Sequence, residues 1–142
     1  MRLRPAIPSS ASNGTSAGNA RGGRILVVED DYFVALELEH RLLDAGFDVV
    51  GIATTAEEAL DKARSGNPDL AVMDIRLAGS RDGIDAATDL IELGIPSIFA
   101  TAHADPGTKQ RAEQARPLGW LQKPYSSESL VALIQQALAG RS

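Results

Sequence analysis

From Arg24 onward, short apolar runs alternate with segments whose apolar residues recur at helical spacing. The runs fall at residues 25–28, 49–53, 70–73, 95–100 and 120–122. An uninterrupted run such as Ile25-Leu26-Val27-Val28 is what a parallel strand buried on both faces requires. The first intervening segment places Val34, Leu38, Leu42 and Ala45 on one stripe, with Asp31 as the predicted N-cap and Gly46 as the stop. Thr55 and Glu58 have capping-box spacing ahead of a helix ending near Gly66, with Pro68 beyond it. Ile84, Ala87 and Ile91 share a third helical face that Gly94 terminates. Asp105-Pro106 reads as an N-cap followed by proline in the first turn. Ser126 precedes a last helix in which Leu130, Leu133, Ile134, Ala137 and Leu138 repeat at i, i+3, i+4, i+7 and i+8.

The pattern predicts five βα units. Right-handed crossovers between parallel strands then place helices on both faces of one five-stranded sheet, a doubly wound α/β fold. In such sheets chemistry is found outside the carboxyl ends of the strands, near the point where strand order reverses. Residues 1–23 differ from the rest: they are rich in Ser, Ala, Gly, Asn, Pro and Arg, with few bulky apolar side chains. They cannot bury enough surface to offset their ordering entropy, so the expectation is a disordered tail ahead of one domain at 24–142. A basic anchoring arm and an expression remnant are the other readings of that segment.

Composition narrows the chemistry. The chain has 142 residues, enough for one domain with a tail but not for two. There is no cysteine, which removes disulfides, thiolate zinc sites and cysteine nucleophiles. His40 and His103 are the only imidazoles, too few for a histidine-built metal site. The formal charge is −5, but Arg2, Arg4 and Arg21 in the first 23 residues leave 11 basic against 19 acidic residues afterwards, a net −8. An acidic body argues against nucleic acid as the main partner, since duplex binding depends on neutralising phosphates. No apolar run reaches the ~18 residues of a membrane span, and no secretory signal precedes the tail, so the expected location is cytoplasmic, without a membrane partner.

The predicted strand ends carry Glu29 and Asp30, then Asp74, Thr101 and Lys123. Three carboxylates therefore converge with a hydroxyl and an ammonium. Two carboxylates ~5 Å apart repel by about 3 kcal/mol at an effective dielectric near 20, so the cluster needs a divalent cation, a proton or partial solvation. Oxygen-only ligands suit Mg²⁺. A hydroxyl and an ammonium beside such a cation can position and neutralise a phosphoryl group, and a carboxylate can itself be the covalent acceptor.

Here the chain closely resembles the CheY-like receiver family of response regulators. The matching pieces are Ile25-Leu26-Val27-Val28-Glu29-Asp30, Val72-Met73-Asp74-Ile75, Phe99-Ala100-Thr101-Ala102 and Lys123-Pro124-Tyr125, in the family's order and spacing. The likeness extends over residues 24–139. It implies the flavodoxin-like (βα)5 fold with strand order 2-1-3-4-5. It also implies phosphorylation of Asp74 by a sensor histidine kinase, with Mg²⁺ held by Asp74, Asp30, Glu29 through water, and the backbone carbonyl of Arg76. Thr101 and Lys123 would contact the phosphoryl group, and the Lys123-Pro124 bond would be cis. Thr101 and Trp120 stand at the positions that switch on phosphorylation, where the family more often has tyrosine or phenylalanine in place of Trp120. Arg76 and His103, each two residues beyond a site residue, stand where receivers tune dephosphorylation. Phe99-Ala100-Thr101 is similar to stand-alone receivers of alphaproteobacterial stress signalling, with Ala102-His103 departing from that subset's glycine-rich continuation.

The expected function is thus a stand-alone switch in two-component signalling, catalysing only its own phosphorylation and slow autodephosphorylation. Its partners would be a histidine kinase, a phosphotransfer protein and a downstream protein target. A homodimer through the fourth helix, fifth strand and fifth helix is a further expectation. A phosphorelay intermediate, a phosphate sink and a phosphorylation-independent binding module are alternatives. An aspartyl phosphatase fits less well, because Arg76 stands where such enzymes carry a general acid. Asp31 is read as a cap rather than a ligand, and Arg81 and Asp82 as loop charges.

Overall fold

The computed structural model describes residues 22–102 and 104–140. Its strands are β1 (Arg24–Val28), β2 (Asp48–Ala53), β3 (Leu70–Met73), β4 (Ser97–Thr101) and β5 (Trp120–Gln122). They alternate with α1 (Tyr32–Asp44), α2 (Ala56–Gly66), α3 (Gly83–Glu92), α4 (Pro106–Ala112) and α5 (Ser127–Ala139). The strands form one parallel sheet in the order β2-β1-β3-β4-β5. Fold class and strand order are as the sequence and its resemblance imply. The tail predicted over 1–23 lies outside the described residues except for Gly22 and Gly23.

β1 shows why its run is apolar throughout. Ile25 and Val27 point into the layer shared with α1 and α5, whereas Leu26 and Val28 point into the layer shared with α2 and α3. All four are buried, so the two-residue side-chain period leaves no face for a polar residue.

The helix signals are local and mostly hold. Asp31 accepts from the N–H groups of Phe33 and Val34, Asp105 from Thr108, and Ser126 from Ser129. Thr55 accepts from Glu58, but the Glu58 carboxylate turns to the N–H and hydroxyl of Thr54, so the box closes one residue early. Gly46 and Gly94 take positive φ of 94° and 82° just past α1 and α3, where a side chain would be strained.

Which residues face the core differs by one place from expectation in two helices. α1 buries Ala35, Leu38 and Leu42, leaving Val34 half-buried and Ala45 at the exposed C-cap. α3 buries Leu90 rather than Ile91. Periodicity specifies a stripe, but the docking rotation against the sheet selects its centre. β4 also starts later than predicted, because Pro96 has no N–H to offer a neighbouring strand; its carbonyl still accepts from Ala71. A 3-10 turn, Glu113–Ala115, follows α4. Arg81 and Asp82 are not idle loop charges. Arg81 pairs with Asp89, and Asp82 closes a reciprocal capping box with Asp85 at the start of α3.

Candidate functional site

β1 is an inner strand of the sheet, with β2 on one side and β3 on the other, so strand order reverses at the β1–β3 gap. Backbone pairing continues past both strand ends there: Glu29 N–H donates to Ala53 at 2.9 Å and Asp74 N–H to Val28 at 2.9 Å. These bonds present Glu29 and Asp74 at the carboxyl edge where the fold opens. Thr101 ends β4 and is fully buried; its carbonyl accepts from Lys123 N–H at 3.0 Å, which brings the end of β5 into the same group. The Lys123–Pro124 peptide is cis.

The ammonium of Lys123 lies 2.7 Å from Glu29 Oε1 and 2.9 Å from Asp74 Oδ2. Asp74 Oδ1 accepts from the backbone N–H of Ile75 at 2.6 Å and more loosely from Arg76 at 3.4 Å. Glu29 Oε2 accepts from Asp31 N–H at 3.3 Å. Carboxylate oxygens of Glu29, Asp30 and Asp74 all lie within 4.8 Å of one another. At that separation each pair of charges repels by about 3 kcal/mol at an effective dielectric near 20, and one lysine cannot neutralise three.

Part of the remaining burden falls on Glu29, only 4% exposed. Burial, with the charge of Asp74 adding to it, outweighs the hydrogen bonds from Lys123 and Asp31 and pushes Glu29 up to about 7. Burial works against the charged form of Lys123, but its bonds to Glu29 and Asp74 more than compensate and raise it above the usual lysine range. Asp30 is exposed at the mouth of the group, and among the described residues no cation pairs with it.

The donors fit Mg²⁺. They are oxygens from two strand ends, and the outermost carboxylate faces a polar cavity of about 590 Å³ with room for the waters that Mg²⁺ retains. Arg76 lines that cavity, with its backbone following directly on Ile75. Trp120 is half-buried at the start of β5, its ring 4.8 Å from that of Phe99, and Lys109 Nζ stands 5.3 Å from the indole centroid. His103 lies outside the described residues.

Chain 25–135 matches the family model for the response regulator receiver domain. The chain belongs to the response regulator receiver family. Over 126 residues this receiver is 33% identical to the transcriptional regulatory protein PdtaR of Mycobacterium tuberculosis, covering 88% of this chain and 61% of PdtaR. It is 36% identical over 116 residues to the phyllosphere-induced regulator PhyR of Methylorubrum extorquens, covering 80% of this chain and 43% of PhyR. The receiver thus spans 61% of the length of PdtaR and 43% of that of PhyR. Among solved structures it is similar to a CheY-like receiver domain protein from Methanospirillum hungatei, with TM-score 0.76, 27% identity, and 82% and 94% of the two chains covered. The signal receiver domain of a modulated diguanylate cyclase from Desulfovibrio desulfuricans gives TM-score 0.78 at 36% identity, covering 83% and 94%.

Gly83 and Arg111 near this edge were not singled out from the sequence, and Asp82 was expected to be only a loop charge. Gly83 packs directly on the Asp74 carbonyl, its N–H donating to Ile75 O at 2.6 Å. Asp82 and Arg111 bridge α3 to α4 at 2.7 Å. The signature of Asp82-Gly83 followed by Asp85 was legible as a helix start. The partner of Asp82 was not, because Arg111 is remote in sequence.

Proposed function

We propose that this receiver is a phosphorylation switch that takes a phosphoryl group on Asp74 from a sensor histidine kinase in the cytoplasm, with Mg²⁺ as cofactor. The observation that carries this reading is the carboxylate of Asp74 held at the strand-order reversal by Lys123, beside two further carboxylates. Glu29, Asp30 and Asp74, with the Arg76 carbonyl, are the groups that would hold Mg²⁺. When bound, the ion supplies charge neutralisation for the incoming phosphoryl oxygens.

The rest is the work of the chain. The Ile75 and Arg76 N–H groups hold Asp74 Oδ1, so the carboxylate keeps one orientation for attack by a carboxylate oxygen on the donor. The attacking oxygen bonds to phosphorus as the P–N bond to the kinase histidine breaks, and the departing imidazole nitrogen takes up a proton. Lys123 then exchanges a carboxylate contact for a phosphoryl oxygen, and the Thr101 hydroxyl donates to another. Arg76, with His103, governs the approach of the water that later hydrolyses the acyl phosphate. The receiver on this reading catalyses only its own phosphorylation and slow dephosphorylation. A protein target, reached directly or through a phosphotransfer protein, reads the change on the face of α4, β5 and α5, where Trp120 sits. The same face is available for a homodimer.

Incubation with a small acyl phosphate and Mg²⁺, followed by a phosphate-retarding gel, tests the reading. Wild type is expected to show a slower band that Asp74→Asn lacks and that disappears with EDTA. A label mapped by mass spectrometry to another residue refutes it.

A further inference from the structure

Helix α4 has little apolar hold on the body of the molecule. It spans Pro106–Ala112, and Ala112 is its one buried residue. Two cations on different sides of the helix supply other contacts. Lys109 lies over Trp120 of β5, and Arg111 Nη2 reaches Asp82 Oδ2 at 2.7 Å. The second contact is anchored firmly at its far end. Asp82 uses its other oxygen to cap α3 through Asp85 N–H at 3.0 Å, and its own N–H is held by Asp85 Oδ2 at 3.0 Å. Its neighbour Gly83 is pressed so closely on the strand end that an added Cβ would lie 2.8 Å from the Asp74 carbonyl carbon and 2.8 Å from Ile75 Cα. A continuous set of contacts therefore runs from the backbone of Asp74 through Gly83 and Asp82 to Arg111. Arg111 and Asp82 also line the cavity into which Asp30 and Arg76 face.

We propose that Arg111 is a positioning residue for phosphorylation: its bridge to Asp82 fastens α4 to the backbone bearing Asp74 and, through α4, restrains Thr101 at the end of β4 in the unmodified protein. The proposal rests on Asp74 as the acceptor. Releasing the bridge frees α4, lets Thr101 reach the phosphoryl-binding position more often, and so speeds labelling. The pair is part-exposed, with side-chain exposures of 50% and 31%, so the restraint is modest and a two- to fivefold effect is its scale.

The test compares wild type with Arg111→Gln, Asp82→Asn and the double variant. Asparagine keeps a side-chain oxygen for capping α3, so loss of the bridge is separated from loss of the cap. One readout needs no phosphorylation: amide hydrogen exchange over residues 105–115, together with emission from Trp120, the only tryptophan. The other is the initial rate of Asp74 labelling by a small acyl phosphate with Mg²⁺. Each single variant is expected to speed both exchange and labelling two- to fivefold and to shift the emission, the double variant adding nothing further. Arg111→Lys is expected to stay within twofold of wild type. Unchanged exchange in both singles, additive effects in the double, or faster exchange without faster labelling overturns the proposal. A wild type that takes no label removes the Asp74 reading itself, while exchange and emission still decide whether the bridge restrains α4.

Discussion

The close approach of Gly83 to Asp74 makes Gly83→Ala a sharp test of how the acceptor is held. Gly83 begins α3, and its N–H bonds to Ile75 O at 2.6 Å. A Cβ there would meet the carbonyl carbon of Asp74 and Cα of Ile75, each at 2.8 Å, with the Asp74 oxygen nearer still. All of these are backbone atoms, so no side chain can rotate away, and α3 must separate from the β3 end. Overpacking of this kind costs about 1–3 kcal/mol, and a rigid obstacle puts it at the upper end. Alanine recovers at most ~1 kcal/mol of helix propensity. A net loss of about 2 kcal/mol follows. With a urea m-value of roughly 1–1.5 kcal/mol/M for a domain of this size, the midpoint should fall by about 1.5 M in a titration followed by far-UV circular dichroism. Because the displaced group is the backbone of Asp74 itself, labelling by an acyl phosphate should slow at least tenfold in protein that remains folded. Gly107→Ala is the control. Its nearest contact is Asp105 Oδ1 at 3.4 Å, so it should raise stability by ~0.5 kcal/mol. A Gly83→Ala midpoint within ~0.3 M of wild type would refute the reasoning.

Three further outcomes are expected. Glu29 titrates near 7 in the folded chain against 4.5 ordinarily, so stability present below pH 4.5 is lost as pH rises through about 7. Urea titrations in chelator should show that decline, and Glu29→Gln should flatten it. For Asp82, burial raises the carboxyl, but hydrogen bonds from Arg111 and from the Asp85 backbone more than reverse this and leave it below its ordinary value of 3.8. Its contribution is therefore present above about pH 4 and lost as pH falls below that; Asp82→Asn should be less sensitive than wild type in thermal melts between pH 5 and 3. Mg²⁺ at a hundredfold excess over its dissociation constant should stabilise the wild type by about 2.7 kcal/mol, and Asp30→Asn should lose most of that gain at the same concentration in a thermal-shift assay.

Much of the molecule was legible before folding was considered. The strands declared themselves because a central parallel strand buries both faces, which Ile25–Val28 satisfies with no polar residue. The caps Asp31, Thr55, Asp105 and Ser126 act on N–H groups two or three residues away, so their signal lies within one turn of sequence. The candidate site followed from the crossover rule, which brings every strand's carboxyl end to one edge and so gathers Glu29, Asp30, Asp74, Thr101 and Lys123.

Tertiary structure decided matters of distance and exposure that no local signal encodes. Ala35 rather than Val34, and Leu90 rather than Ile91, face the core because the docking angle of each helix selects among equally apolar neighbours. Adjacent carboxylates were given opposite roles, Glu29 buried beside Lys123 and Asp30 open to the cavity, since successive residues leaving a strand point to different sides. The bridge from Arg111 to Asp82 and the seat of Gly83 on Asp74 join segments far apart in the chain. Their existence depends on how closely α3 and α4 approach the sheet, a quantity set by the volume of every side chain packed between them.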